Sequence, residues 1–428
     1  MENNTEKQKT KLDKKKILIS VTAIFLAAAC FLGGFFVNRL INGDKINKVN
    51  EIIHLMEGVG YVLDENGEPR EITAEEYADA IVNGSLDKYA RYFTAEEHEA
   101  YISAGNGNSK GTGLIFYDSD CVIDKVNGNS PANKAGVMIG DKILSFTFDG
   151  EVFKIGNYTA VKNFINQVAD EVDFQMTVLR GSEQLTFTLK KTDYRTNYVT
   201  YYDSQVKYCF ESENNEELTE KIYNGKGNSV LGEDVAYIVF EGFEGDSKSQ
   251  MFKALDFMKK RGRTKLVLDL RNNGGGYISI LTEIAGALIH CNGKNNFVVA
   301  VAESKKDKEV FYSGKNRFNT SIESIAVLAN KQTASASECL IGAMIHYGGV
   351  FSRDKLVIEV DSSGKTTTFG KGIMQTTYGL MDGGALKLTT ARMLWPDYTT
   401  CIHNKGISTK AENQVSREQA LNRALQVL

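Results

Sequence analysis

Ala326-Val-Leu-Ala-Asn-Lys-Gln-Thr-Ala-Ser-Ala-Ser-Glu-Cys-Leu340 decides how the second half of this chain is read. It begins as an apolar run that reads as a buried strand ending at Asn330. It then passes through small and hydroxylated residues and continues as an apolar helix, Ser337 to Tyr347. Ser335 and Ser337 therefore fall where a strand turns into a helix N-terminus. The first N–H groups of a helix have no partner within it, so they can donate to an oxyanion forming beside a serine in that position. A serine there can equally be only a helix cap. The pattern by itself leaves both readings open.

On either side of this stretch strands and helices alternate. Val235–Phe240, Lys265–Leu270 and Ile325–Ala329 read as strands. Ser247–Arg261, with Met251, Phe252, Leu255 and Met258 at helical spacing, and Ile278–Ile289 read as helices. This rhythm, from about residue 193 onward, argues for a mostly parallel α/β core. Asp269-Leu-Arg-Asn-Asn-Gly-Gly-Gly276 runs a strand into three glycines, which let the backbone approach another segment closely. The loop at Gly274 and Gly275 can supply a second oxyanion donor. Phosphate-binding loops also follow strands, but no Walker Lys-Ser/Thr and no spaced GxGxxG is present.

In Thr368-Phe-Gly-Lys-Gly-Ile-Met-Gln375 a lysine sits between two glycines. Burial there would lower the pKa of Lys371 toward neutrality, so that it could take a proton from serine. Otherwise it is a solvated loop lysine. Gln375 is four residues on. In an extended strand the two Cα atoms would be roughly 13 Å apart, whereas on one helical turn they would be neighbours. Orientation of Lys371 by Gln375 therefore requires the segment to turn.

From Gly105 to Gly113 a Gly/Asn/Ser stretch marks a boundary. Beyond it, to about Lys191, short apolar runs separated by turn residues read as strands: Leu114–Phe116, Cys121–Ile123, Lys142–Phe146, Phe174–Leu179 and Leu185–Leu189. The order Ser130-Pro-Ala-Asn-Lys-Ala-Gly-Val-Met-Ile-Gly-Asp-Lys-Ile-Leu144 resembles the short helix, Gly-Asp turn and following strand of a PDZ domain. Such a domain adds a peptide as an extra strand and holds its terminal carboxylate on backbone N–H groups. Gly111, Thr112, Gly113 and Leu114 are the matching carboxylate loop.

The 428 residues suggest two or three domains. A composition 42% hydrophobic and 24% charged is that of a globular protein, and a net charge of −4 gives nucleic acid no basic surface. Residues 1–16 are polar and lysine-rich. The uncharged apolar run Ile17–Val37 is long enough to cross a bilayer as a helix. A cleaved signal peptide is the competing reading. The run's length and the lack of a small-x-small site before Asn38-Arg39 favour an uncleaved anchor over residues 17–38. Residues 1–16 would then be cytoplasmic and the rest extracytoplasmic. Residues 39–104 read as helical, with capping boxes at Thr73/Glu76 and Thr94/Glu97. They are a cap, a dimerisation arm or a spacer, and homo-oligomerisation is left open. Cys30 lies in the anchor. Cys121, Cys209, Cys291, Cys339 and Cys401, odd in number and widely spaced, do not make a disulfide framework, so at least one buried free thiol is expected. No CxxC or HxxxH pair occurs, and neither metal nor cofactor is expected.

Taken together, these pieces resemble the C-terminal processing peptidases, or tail-specific proteases. Ser85-Leu-Asp-Lys-Tyr-Ala-Arg-Tyr92 is similar to that family's segment before its PDZ domain. Val267–Gly276 is similar to its Gly-loop motif, and Ser335-Ala-Ser-Glu338 to its nucleophile motif. Phe369-Gly-Lys-Gly372 with Gln375 matches its Lys and Gln positions, and Leu386–Arg392 the strand that follows. The resemblance implies an α+β multidomain chain: the anchor, the helical segment 39–104, a β-rich PDZ domain at 105–192, and a crotonase/ClpP-like α/β protease core at 193–428. It implies Ser335, rather than Ser337, as nucleophile. The chain departs from the family at His346, where an Asp is common, and between Tyr347 and Lys371, where the usual Gly-Glu-Pro turn is missing. Lys365 therefore competes for the role of base, though only Lys371 has the flanking glycines and Gln375. Ser408-Thr409 stands where Pro-Asp is usual.

The expected chemistry is that of a serine endopeptidase. Lys371 deprotonates Ser335, Ala336 and the Gly274–Gly275 loop hold the oxyanion, and the PDZ domain captures an unstructured substrate's C-terminus and gates the site. A membrane-anchored peptide-binding adaptor with an inactive core is the alternative. The retained Ser335, Lys371 and Gln375 argue against it. A crotonase-like acyl-transfer enzyme would need a coenzyme A pocket and would not carry an anchor or a PDZ domain.

Overall fold

Thr73 and Thr94 each start a helix as their spacing to Glu76 and Glu97 implies. Both capping boxes are formed, on Ala74–Asn83 and Ala95–Gly105. The computed structural model describes residues 48–57, 62–63, 69–85, 87–116, 121–123, 125–138, 140–214, 217–222, 230–291, 295–315, 321–360 and 362–428. The expected cytoplasmic tail and anchor, residues 1–38, lie outside these. Among the described residues no helix is long and apolar enough to cross a membrane. The chain divides into two compact units, Met1–Gly84 and Ser85–Leu428. In the first, residues 48–57 are helical, Ala74–Asn83 forms a second helix, and Val62–Leu63 pairs with Pro69–Arg70.

The second unit is built on an eight-stranded sheet among the described residues. Its order is Glu217–Ile222, Lys207–Asn214, Val199–Tyr202, Val235–Phe240, Lys265–Asp269, Ser324–Asn330, Leu356–Glu359 and Gln414–Val415. From Val235–Phe240 onward neighbours are parallel. The three strands before it are antiparallel. The strands are apolar on both faces because both are covered, as a parallel sheet requires. Leu266, Leu268, Ile325 and Val327 pack with Met251, Ile284 and Leu340 of the helices Ser247–Lys260, Ile278–Leu288 and Ala336–Tyr347. The alternate residues Val267, Ala326 and Leu328 pack with Ala420 and Ala424 of the C-terminal helix Arg417–Val427.

A second sheet, antiparallel throughout, corrects the expectation of a mostly parallel core. It joins Lys308–Tyr312, Val298–Glu303, Ala385–Leu394 and Ile373–Gly379, and Arg91–Phe93 pairs with Ala385–Leu394. The latter pairing also places a strand inside the segment expected to be wholly helical. Ile373–Gly379 is mostly half-exposed and carries Gln375, Thr376 and Thr377, so it has no clean apolar alternation.

Residues 108–195 form a β-rich region with its own core. Lys142–Phe148, Phe174–Arg180, Glu183–Leu189 and Glu151–Lys154 make one sheet. The Phe146 and Phe164 rings stack at 4.3 Å, and Phe174 packs edge-on to both. The Pro-Ala-Asn-Lys-Ala stretch is the short helix Pro131–Ala135, capped by the Ser130 side chain and closed by Gly136 at φ +89°. The expected strand Cys121–Ile123 is reduced to one bridge, Val122 to Lys142. Entry and exit strands Asn108–Gly111 and Thr192–Arg195 pair antiparallel, which carries the region past the expected boundary at 192. Cys339 is a buried thiol in no disulfide, as the cysteine count implied.

Candidate active site

The strand Ser324–Asn330 enters the turn quoted at the outset, and that turn is tied to the Gly-rich loop beside it. Asn330 accepts the Asn272 N–H (3.0 Å), Thr333 donates to the Leu270 carbonyl (2.8 Å), and the Ala334 N–H reaches the Asn273 carbonyl (3.0 Å). Ser337 is fully buried and donates to the same Asn273 carbonyl (3.0 Å), so it serves the fold. Ser335 is half-exposed and lines a cavity of about 780 Å³. Its backbone stands at φ +55°, ψ −115°, a region costly for a residue with a Cβ and held only when the surroundings impose it.

Ala336, Gly274, Gly275, Lys371 and Gln375 line the same cavity. Ala336 is the first residue of the helix Ala336–Tyr347, and Gly274 is exposed. Among the described residues no backbone carbonyl takes either N–H. Gly275 departs from expectation. Its N–H is committed to the Asn273 side chain (3.0 Å), so it is not a free oxyanion donor. Its role is close approach. At φ +100°, a Cβ on Gly275 would lie 2.8 Å from the Ala336 nitrogen, 2.8 Å from Ser335 Cβ and 2.9 Å from the Ala334 carbonyl.

The lysine loop closes the other side. A Cβ on Gly370 would lie 2.8 Å from the Gly406 nitrogen, and one on Gly372 2.7 Å from the His403 nitrogen. That is why Lys371 is bracketed by glycines. Burial lowers the Lys371 pKa, and the neighbouring charge of Lys387 lowers it further. Lys365 donates instead to the Phe369 carbonyl (3.0 Å) and does not line the cavity. Gln375 does not reach the cavity through a turn. It sits in the strand Ile373–Gly379, where an irregularity at Met374/Gln375 shifts the register and re-aims a side chain as a bulge does. Its Nε2 donates to the Tyr89 carbonyl (2.7 Å). His346 is exposed in the last turn of the helix that Ser335 begins, and does not line the cavity.

Two groups escaped the sequence reading. Glu338 is fully buried and accepts four donors: the Ser335 N–H (3.0 Å), the Thr368 hydroxyl (2.5 Å), the Gly370 N–H (2.8 Å) and the Lys371 N–H (2.9 Å). One carboxylate thus joins the serine turn to the lysine loop. Burial raises its pKa, against the four donors that lower it. The second group is Arg271, which pairs with Asp269 (2.6 Å) and with Glu359 (2.5 Å), while Asp269 accepts the Tyr237 hydroxyl (2.7 Å). This cluster fixes the start of the Gly loop against the next strands. Asp269 and Arg271 stood in the quoted motif, but nothing in the sequence joined them to Glu359.

Residues 234–412 match the model of peptidase family S41. A probable CtpA-like serine protease of Staphylococcus aureus (strain bovine RF122 / ET3-1) is 26% identical over 94% of this chain and 72% of its own length. Over residues 234–412 the chain is similar to peptidase family S41. The similarity is to serine-type peptidases. A putative S41 protease from Bacteroides fragilis shares the fold over 89% of this chain and 92% of its own, at 13% identity and a TM-score of 0.50. A photosystem II D1 C-terminal processing protease aligns over 90% of both chains at 21% identity and a TM-score of 0.49. The close packing at Gly275 gives a direct test. Gly275→Ala is expected to lower kcat about a hundredfold, because displacing reacting groups by an ångström costs that much. An unchanged kcat on an unfolded polypeptide would show that the two loops can part without consequence.

Proposed function

We propose that this chain is an S41-type endopeptidase that cuts exported polypeptides near their C-termini, with Ser335 as nucleophile and Lys371 as base. The observation that carries this reading is a single cavity holding Ser335 at its strained turn, a half-buried lysine with a lowered pKa, and the N–H groups of Ala336 and Gly274. The Oγ proton passes to Lys371 Nζ as Oγ bonds to the scissile carbonyl carbon. The carbonyl π electrons move to oxygen, where the Ala336 and Gly274 N–H groups donate to it. As the tetrahedral species collapses the C–N bond breaks, and the proton on Nζ goes to the leaving amine. Water, deprotonated by the same lysine, then adds to the acyl carbon, and the C–Oγ bond breaks as the proton on Nζ returns to Oγ. Gln375 holds its strand against Tyr89 beside the base. The core is of the crotonase/ClpP-like kind.

The β-rich region serves as a PDZ domain that captures the substrate's C-terminus and gates the cavity. The Thr112 and Gly113 carbonyls accept N–H bonds from Ala132 (3.0 Å) and Asn127 (2.9 Å). In a planar trans peptide this aims the following N–H groups, of Gly113 and Leu114, the opposite way, as a carboxylate nest needs. Leu114–Ile115, with Phe116 against Tyr158 of the helix Tyr158–Gln167, gives an incoming strand a partner and a wall. The apolar run at 17–38 anchors the enzyme with its peptidase domain on the extracytoplasmic side.

The test is turnover of an unfolded polypeptide with an apolar C-terminus, read by mass spectrometry. Cuts near the C-terminus are expected, and no product from several such tails would overturn the reading. Amidating that terminus is expected to lower kcat/KM roughly tenfold or more, the worth of hydrogen bonds to a charged group. Equal cleavage of acid and amide would rule out terminal capture.

A further inference from the structure

Tyr89 lies in the Ser85–Tyr92 segment, far in sequence from Ser335 and Lys371, yet it is fixed against the base. Its N–H donates to Asp87 Oδ1 (3.1 Å). The Asp87 carboxylate in turn accepts the backbone N–H (2.8 Å) and the hydroxyl (3.0 Å) of Thr389. Thr389 stands opposite Gln375 in the antiparallel pair, and Gln375 Nε2 donates back to the Tyr89 carbonyl (2.7 Å). The Tyr89 backbone is thus clamped to both strands of that pair. Its ring centroid lies 5.5 Å from Lys371 Nζ, within the range where a cation is attracted to an aromatic face.

We propose that Tyr89 is a positioning residue for the reaction, whose ring face holds the Lys371 ammonium that forms as Ser335 gives up its proton. The inference rests on the Ser335–Lys371 reading above. A neutral amine gains little from the ring's negative face, whereas an ammonium gains more. The interaction therefore grows as the proton moves from Oγ to Nζ, and stabilisation that grows along the reaction is what accelerates it. A base in such a site needs this support. Lys387 lines the same cavity and disfavours the ammonium. Lys88 lies 5.0 Å from the same Tyr89 ring and competes for it. His403, 6.1 Å from the ring, is held neutral by burial and by Lys88. Of the carboxylates nearby, Glu338 bonds the Lys371 backbone and Glu244 lines the cavity. The ring offers the ammonium an attraction without a carboxylate's charge, so the resting amine can stay neutral.

The experiment compares pH profiles of kcat and kcat/KM for the full chain in detergent, acting on one unfolded peptide. The variants are Tyr89→Phe and Tyr89→Leu, with Ser335→Ala and Lys371→Ala as references and thermal unfolding as a check. Tyr89→Leu is expected to lower kcat roughly tenfold with KM little changed, and to move the acid limb of kcat/KM down by about half to one pH unit. The limb moves down because losing the ring destabilises the ammonium and lowers the Lys371 pKa. Tyr89→Phe keeps the ring face and should follow wild type. If Tyr89→Leu does not fold, successively fluorinated phenylalanines at position 89 keep the shape while draining the negative face, and kcat should fall with each fluorine. An unchanged kcat, or a lower kcat with an unmoved acid limb and no fluorine trend, would overturn the inference. Full activity in Lys371→Ala would instead overturn the Ser335–Lys371 reading beneath it.

Discussion

Ser335→Ala is expected to reduce peptide cleavage by about 10⁴-fold or more, and Lys371→Ala by a similar factor, because groups that act as a unit lose their effect together. The thermal midpoint of Ser335→Ala should stay close to that of wild type. Alanine carries the same Cβ through the same φ of +55°, and the bonds that build the turn come from Asn330, Thr333, Ala334, Ser337 and Glu338. The pair of results separates chemistry from folding. Lys365→Ala is the control, since that ammonium is turned to the Phe369 carbonyl, and it should cleave at the wild-type rate. If Lys365→Ala abolishes turnover while Lys371→Ala does not, the base has been misassigned. Residual cleavage in Ser335→Ala near the wild-type level would remove the nucleophile from the site altogether.

Glu338→Ala is expected to damage stability and catalysis together. It strands four donors that now converge on one carboxylate inside the protein. Each unmet buried donor costs about 1–3 kcal/mol before relaxation or water entry, so a net loss of roughly 3–5 kcal/mol is reasonable, comparable to breaking a buried ion pair. For a domain of this size each kcal/mol lowers Tm by about 2–4 °C, so a fall of about 10 °C should appear in calorimetry. The rate should fall at least ~10²-fold even where the variant is folded, since the serine turn and the lysine loop lose their shared anchor. A variant with wild-type Tm and kcat would mean that solvent or another side chain satisfies these donors.

Much of the core was legible in the sequence because its signals are local. Val235–Phe240, Lys265–Asp269 and Ser324–Asn330 are continuous apolar runs bounded by loops, and the capping boxes at Thr73 and Thr94 form as read. Ser335 and Lys371 were singled out by small residues where a strand becomes a helix and by glycines where chains pass closely, with the resemblance choosing Ser335 over Ser337; the structure adds that both line one cavity. What escaped depends on partners distant in the chain. Glu338 reads as an ordinary first-turn acid until Gly370 and Lys371 are seen to donate to it. Gly275 looked like a donor until Asn273 was seen to occupy its N–H. Gln375 seemed to need a turn toward Lys371. A register irregularity in a half-polar strand does that work instead, and no periodicity announces it.

The antiparallel pairing of Asn108–Gly111 with Thr192–Arg195 has a consequence for how such a chain can diversify. Because Gly111 faces Thr192 across one ladder, the polypeptide leaves the two sheets and returns toward them at one place. Residues 112–191 are therefore a cassette. Changes of length within them leave the register of either sheet alone, provided that this pairing is kept. On the function proposed above, polypeptide presentation can then be retuned by changes within this stretch while the two sheets keep their registers.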